Sequence, residues 1–485
     1  MQSRRVCHLN FFNPNKFVVV VAVAMASLAF LSGSTGAQAQ AFSVLYNFGT
    51  HSGDPLFPQY AGIIAQGRDG DLYSTTRYGG SGTGAVFRIT PSGTLSVIYN
   101  NRHGGGPCSG LTLSTDGNFY GTTFAGGGSE GGRIFKVAPD GSFKVLNGFN
   151  WSNGKYPYAP PVQGTDGHFY GTTSEGGNLT ECQSVGCGTI YKITSSGKLT
   201  VLHVFDGTDG QFPLAPLVQG TDGSFYGTTA GGGTNGHGTV FTITAAGNLT
   251  VLYKFDGIHG QGPIGPLVQG SDGNFYGTTG GGGANGVGVV FRLTPKGAIT
   301  LLHQFNGTDG QAPYAGLVQA TDGNFYGATA SGGSIGGGTI FRVSGKGSFS
   351  TLYNFNNSDS TNPEVTLFQH TNGILYGDTF QGGTGKGCST SGCGTFFSLS
   401  VGLPPFVSLL STSGKIGKTV EILGQGFTGT TGVSFNGTAA NFQVVSDTYL
   451  TATVPNGATT GFVTVTTPGG TLTSNKKFRV RAQVR

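Results

Sequence analysis

Apolar and polar positions alternate along this chain with the two-residue period of extended strands, and the segments that show it are short. In residues 266–305, Leu301, His303 and Phe305 fall on one side and Leu302 and Gln304 on the other, as in a strand with two different faces. The same stretch reads as four strands, Pro266–Gly270, Asn274–Thr279, Val289–Thr294 and Ala298–Phe305. Asp272-Gly273 and Lys296-Gly297 mark tight hairpins between them, because glycine supplies the positive φ such turns require.

The unit recurs. A turn-and-strand motif, Thr-Asp-Gly-Asn-Phe-Tyr-Gly-Thr-Thr in its commonest form, places its acidic position at Asp69, Asp116, Asp166, Asp222, Asp272 and Asp322, with Asn372 in the seventh copy, at spacings of 47, 50, 56, 50, 50 and 50 residues. A period near fifty signals stacked supersecondary units, since one unit cannot bury its own apolar face. Counting strands chooses the architecture. Phe42–Phe48 is a fourth-strand sequence with no first three strands before it, whereas the seventh copy supplies three strands, near Val365–Gln369, Ile374–Thr379 and Thr395–Leu399, and then stops. A solenoid has no use for that permutation. A ring does, because pairing the first strand into the last sheet removes two exposed edges. The expected fold is therefore all-β, a seven-bladed β-propeller over 42–402 closed by the N-terminal strand.

These copies resemble the GloVer-type tandem repeats of exported, choice-of-anchor bacterial proteins, over about residues 42–400; that resemblance implies no catalytic residues. After Pro404-Pro405 the period ends. Ser411–Gly417, Ile422–Phe427, Val433–Gly437, Val444–Asp447, Leu450–Pro455 and Val463–Gly470 closely resemble an IPT/TIG domain, which implies an immunoglobulin-like β-sandwich over 403–485, used as a spacer or interaction module.

Composition sharpens the picture. Only 10% of residues are charged, while 91 are Gly, 36 Phe and 18 Tyr, which favours strands joined by glycine turns. Residues 1–41 carry Arg4, Arg5 and Lys16, the apolar run Phe17–Leu31, and small residues ending at Ala39 and Ala41. They read as a signal peptide cut after one of those alanines, by the Sec or twin-arginine route. The run of about 15 residues is shorter than the roughly 20 a spanning helix needs, so no transmembrane helix is expected in the mature chain. The protein is expected to be secreted, periplasmic or at the cell surface, and monomeric. The leader takes three of the five net positive charges with it, and the remainder gives no support to a nucleic-acid partner. The basic excess that remains gathers at Lys476, Lys477, Arg479, Arg481 and Arg485.

In an antiparallel four-stranded unit, tight turns gather at one end and the longer loops at the other, and binding groups are usually borne on such loops. The candidate ligand-binding residues there are Trp151, Lys155, Tyr156 and Tyr158 in one inter-repeat loop, with Asp206, Asp209 and Asp309 in two others. An exposed aromatic can stack on a sugar or an apolar side chain; it can equally plug a gap between units. Asp206-Gly-Thr-Asp209 slightly resembles a calcium loop but lacks the closing glutamate and the alternating ligands of an EF-hand, so no cofactor or metal is expected, with calcium the one exception entertained. The repeated turn aspartates are read as turn caps. Cys182 and Cys187, and Cys388 and Cys393, have the same spacing in the same loop of copies three and seven, which argues for two local disulfides and an oxidising compartment, with four-thiolate zinc as the rival. Cys108 is the odd cysteine, expected as a small buried residue.

No catalytic constellation emerges. Gly332-Gly-Ser-Ile-Gly336 fits a nucleophile elbow in letters only, and acids such as Glu130, Glu175, Glu181, Asp256 and Glu364 are scattered, as are His237, His259 and His303. The expected role is an exported, non-enzymatic binding or surface-associated module that holds an extracellular glycan or protein. A secreted polysaccharide lyase or hydrolase with its site over the propeller channel is the alternative, and a purely structural envelope protein the third. Two carboxylates, or His with Arg or Tyr, gathered at the channel mouth would mark the enzyme.

Overall fold

The computed structural model describes residues 40–58, 63–102, 104–127, 130–356, 360–386, 388 and 391–481, so most of the expected leader, and Arg485, lie outside the described residues. Between residues 41 and 400 it contains seven four-stranded sheets, one per repeat. The fifth has strands Val268–Gln269, Phe275–Thr279, Val289–Leu293 and Ile299–Gln304, each antiparallel to the next. The strands begin and end close to where the alternation predicts, except that the first is only two residues long. Helix among the described residues is limited to the single 3-10 turn Cys182–Ser184.

Adjacent residues on a strand point to opposite faces, and the Phe-Tyr pair of the second strand uses this. Each sheet turns its Tyr toward the Phe of the following sheet: Tyr73 stacks on Phe119 at 4.1 Å, Tyr120 on Phe169 at 3.8 Å, and Tyr170, Tyr226 and Tyr276 on Phe225, Phe275 and Phe325 at 3.9 Å each. Such pairs contribute about 0.5–1.5 kcal/mol each beyond their area. Copies one and seven carry Leu in place of Phe, and there Tyr326 packs in one cluster with Leu375, and Tyr376 in another with Leu72. The glycine after this Tyr makes room for the third strand: a Cβ at Gly277 would stand 2.7 Å from Phe291 and 2.9 Å from Leu267.

A second relay runs along the tight turns. The Gln ending the first strand accepts a hydrogen bond from a backbone N–H in the previous repeat's turn: Gln163 from Thr115, Gln219 from Thr165, Gln269 from Thr221, Gln319 from Ser271, Gln369 from Thr321, and Gln66 from Thr371, at 2.8–3.1 Å. In the second repeat Leu113 stands where the others have Gln. The turn aspartates act as caps, as expected: Asp272 accepts from the Asn274 N–H and the Tyr276 hydroxyl, at 3.1 and 2.8 Å. The N-terminal strand Ala41–Asn47 pairs antiparallel with Thr395–Ser400 of the seventh repeat, Phe42 opposite Leu399.

After residue 403, two four-stranded sheets enclose a separate core that includes Val420, Ile422, Phe427, Phe435, Leu450, Val463 and Phe478, an immunoglobulin-like sandwich. Repeat region and sandwich fall in one compact unit. The sandwich sits on the tight-turn side, over repeats seven and one. Arg68 pairs with Glu421 at 2.6 Å and lies 4.9 Å over the Tyr449 ring, the Thr448 hydroxyl donates to the Arg68 carbonyl at 2.7 Å, and the Gln425 amide donates to the Thr371 hydroxyl at 2.9 Å. Arg479 also reaches the Thr221 carbonyl of repeat four.

Candidate functional site

With the tight turns engaged by the sandwich, the opposite face carries the long loops. There each repeat places one residue just before a proline, and at Phe57, Tyr156, Phe212, Ala312 and Asn362 this non-glycine residue has φ of 53–63°. Left-handed backbone of this kind costs on the order of 1–3 kcal/mol and persists where surroundings over-determine it. Here they do: the Phe212 N–H donates to the Cys187 carbonyl of the preceding repeat, and its own carbonyl accepts from Ala230, both at 3.0 Å. The bend turns the side chain at this position toward the residue that ends a neighbouring second strand.

Those two positions build a continuous row across repeats seven, one, two and three. Phe380 lies 5.3 Å from Phe57, and Phe57 6.1 Å from Tyr78. The Arg77 guanidinium sits 5.1 Å over Tyr78 and 5.0 Å over Phe124; Phe124 stacks on Tyr156 at 4.5 Å and meets Tyr158 at 4.9 Å. The Lys155 ammonium lies 4.5 Å over Tyr156 and 3.6 Å over Trp151. Arg77 and Lys155 are only 8% and 7% exposed, so their charges are held between ring faces. Trp151, Tyr156, Tyr158 and Phe57 are half-buried and Tyr78 is exposed. The structure thus brings Trp151, Lys155, Tyr156 and Tyr158 together and extends them with Phe57, Arg77, Tyr78, Phe124 and Phe380, which sequence reasoning missed. Their signal was present as departure from the repeat: the position after the Thr-Thr pair reads Arg77, Phe124, Ser174, Ala230, Gly280, Ala330 and Phe380.

Asp206, Asp209 and Asp309 lie in other loops, and their oxygens are engaged locally. Asp206 accepts from the Thr208 N–H and hydroxyl at 2.8 and 2.7 Å; Asp209 accepts from the Asp206 N–H at 3.0 Å and meets His203 at 2.7 Å; Asp309 meets His303 at 2.8 Å. The Thr208 hydroxyl bond above all holds the Asp206 carboxyl below the usual range. Asn150 and Asn153 close the Trp151 loop in the same way, so these side chains shape loops. No group of three metal-ligating side chains occurs among the described residues. Cys182–Cys187 and Cys388–Cys393 are disulfides, with Cα atoms 5.3 and 5.4 Å apart, and Cys108 is buried. Each bridge buttresses an inter-repeat loop, since a Cβ at Gly207 would stand 3.5 Å from Cys182 Sγ and one at Gly49 would collide with Cys393.

Beside the row, repeat seven buries two acids. Glu364 follows Pro363 and is 3% exposed; Asp378 takes the second-strand position held by Thr75, Thr122, Thr172, Thr228 and Thr278 in other copies and is 1% exposed. Burial pushes the Glu364 carboxyl up to about 7, and burial, then the charge of Glu364, pushes Asp378 well above the carboxylate range. Tyr314 of repeat six feels the same charge, after its own burial.

Comparison with known proteins follows the architecture. No curated protein matches the chain. Among solved structures, similarity extends to a gluconolactonase from Xanthomonas campestris (12% identity, 76% of this chain and all of the other, TM-score 0.40). It extends also to a PQQ-bound aldose sugar dehydrogenase from Streptomyces coelicolor (15%, 75% and 98%, 0.37) and a luciferin-regenerating enzyme (11%, 76% and 98%, 0.41). The IPT/TIG domain model matches residues 405–480. The Gloeobacter/Verrucomicrobia repeat model matches residues 34–220 and 179–397, most of the chain, and the protein belongs to that repeat family.

Proposed function

We propose that the seven sheets close into a seven-bladed propeller over 42–402, locked by Ala41–Asn47, with the terminal sandwich over 403–485, and that this protein, exported once residues 1–41 are removed, holds a glycan chain against its loop-rich face without cleaving it. Support for closure comes from the two relays, since Gln66 with Thr371 and Leu72 with Tyr376 join repeats one and seven through the same positions that join most other neighbouring pairs. Support for an oxidising destination comes from the two disulfides. Among the described residues no helix is long and apolar enough to cross a membrane.

The binding reading rests on one observation, the row of partly exposed rings from Tyr78 to Trp151, backed by two sandwiched cations. Flat amphipathic rings in a line offer stacking surfaces to successive sugar units while their polar edges stay wet. A glycan array probed with residues 42–485, and with Trp151→Ala and Tyr78→Ala, tests it: binding that falls in both variants with no reducing or unsaturated product supports the module. A second reading, a polysaccharide-active enzyme, draws on the paired acids Glu364 and Asp378, and product release lost in Glu364→Gln would establish it instead. Silence in every arm would leave the structural envelope role.

A further inference from the structure

Both oxygens of Asp378 and one of Glu364 lie buried without a hydrogen-bond partner among the described residues. No Lys, Arg or His among the described residues forms an ion pair with either acid. Native structures seldom leave such groups unmatched, and an orphaned carboxylate inside a fold asks for a proton, a water or an ion. The repeat makes the anomaly sharper. In copies two, three and five the hydroxyl at the Asp378 position donates to a main-chain carbonyl of the following repeat: Thr122 to Ala159 at 3.2 Å, Thr172 to Ala215 at 3.3 Å, Thr278 to Ala315 at 2.8 Å. Copy seven puts an acid in that donor's place, and an ionised carboxylate only accepts. The second acid is close enough to repel it.

The Asp378 carboxyl in a register position that elsewhere faces carbonyl oxygen, the Glu364 carboxyl beside it, and the Tyr314 phenol and Asn362 side-chain amide near Glu364 make a donor set rich in oxygen and free of sulfur and imidazole. Oxygen-only sets select hard cations, and Ca2+ tolerates the irregular geometry and completes its shell with carbonyls and water. We propose that Glu364 and Asp378 of the seventh repeat bind Ca2+. Asp378 lies on the strand Leu375–Thr379, two residues before Phe380, so the ion would brace the end of the aromatic row. The site is separate from the Asp206 and Asp309 loops, whose carboxylates are engaged by their own backbone.

The test uses residues 42–485 stripped with chelator. Equilibrium dialysis against Ca2+ is expected to show about one ion retained per chain, and saturating Ca2+ to raise the thermal midpoint by about 2–4 °C. Asp378→Thr installs the residue five other copies carry, so it is expected to fold and, without metal, to be at least as stable as the parent. It should retain no ion and show no Ca2+ shift, as should Glu364→Gln. A parent that retains no Ca2+, or retention that survives Asp378→Thr, overturns the site. Glycan binding is read separately, so failure there leaves this outcome independent.

Discussion

One face of the repeat region is divided in two. Repeats seven, one, two and three place Phe380, Phe57, Arg77, Tyr78, Phe124, Tyr156 and Tyr158 there, whereas repeats four to six place Ala230, Gly280 and Ala330 after the second strand and Gly262 and Ala312 before the proline, with Phe212 and Tyr314 as single rings outside the row. The scaffold beneath both halves is closely alike: Tyr stacks on the next Phe at 4.1 and 3.8 Å in one and at 3.9 Å in the other, and turn aspartates cap both. Scaffold side chains are held to type by packing demands that recur in every sheet. Edge side chains do not recur from sheet to sheet, and their concentration in one half is what the binding proposal rests on.

Several substitutions can break or sharpen that contrast. Phe124→Ala removes the ring that Arg77, Tyr156 and Tyr158 all touch; stability by denaturant unfolding should fall by about 4 kcal/mol and glycan binding should vanish, and retention of binding would show that the row does not act as one surface. Glu364 gives a pH signature at the border of the two halves. Its folded pKa is raised from 4.5 to about 7, so in metal-free protein its contribution to stability should be full at and below about pH 4.5 and fall by about 3 kcal/mol as pH rises toward 7; Glu364→Gln should remove that share and leave the fall in the same direction that the raised Asp378 carboxyl contributes. Trp151→Ala should weaken glycan binding by about 1.5–2 kcal/mol at nearly unchanged stability, while Ile264→Ala, at the quiet-half position matching Tyr158, should leave binding unaltered in the same titration. Asp206→Asn should change stability least, by under about 0.5 kcal/mol in denaturant unfolding, because Asn306 closes the equivalent loop two repeats on.

Much of the scaffold was legible in the letters because one unit is written seven times. Strand ends, turn aspartates, both disulfides and the pairing of the N-terminal strand all follow from aligning copies and asking what each lacks. The row was half legible: Trp151 attracted notice as the one tryptophan, but Phe124 and Arg77 sit in different repeats, and nothing local says that a bend before each proline brings them together. Asp378 was missed for the opposite reason. A motif search reads what copies share, and this acid is one letter's departure inside Tyr-Gly-Thr-Thr. The seat of the sandwich was hidden too, although Arg68 stands where the other copies have Thr or Ser, and it is Arg68 that reaches Glu421.

The pairing of Ala41–Asn47 with Thr395–Ser400 sets a clock on biogenesis. The strand made first has its partner edge made more than 350 residues later, a delay of about 20–70 s at ordinary rates of synthesis. Throughout that interval the N-terminal strand lacks its partner and has a bare edge to protect. Until the partner edge is made, the strand is exposed to exchange with the same edge of a second nascent copy.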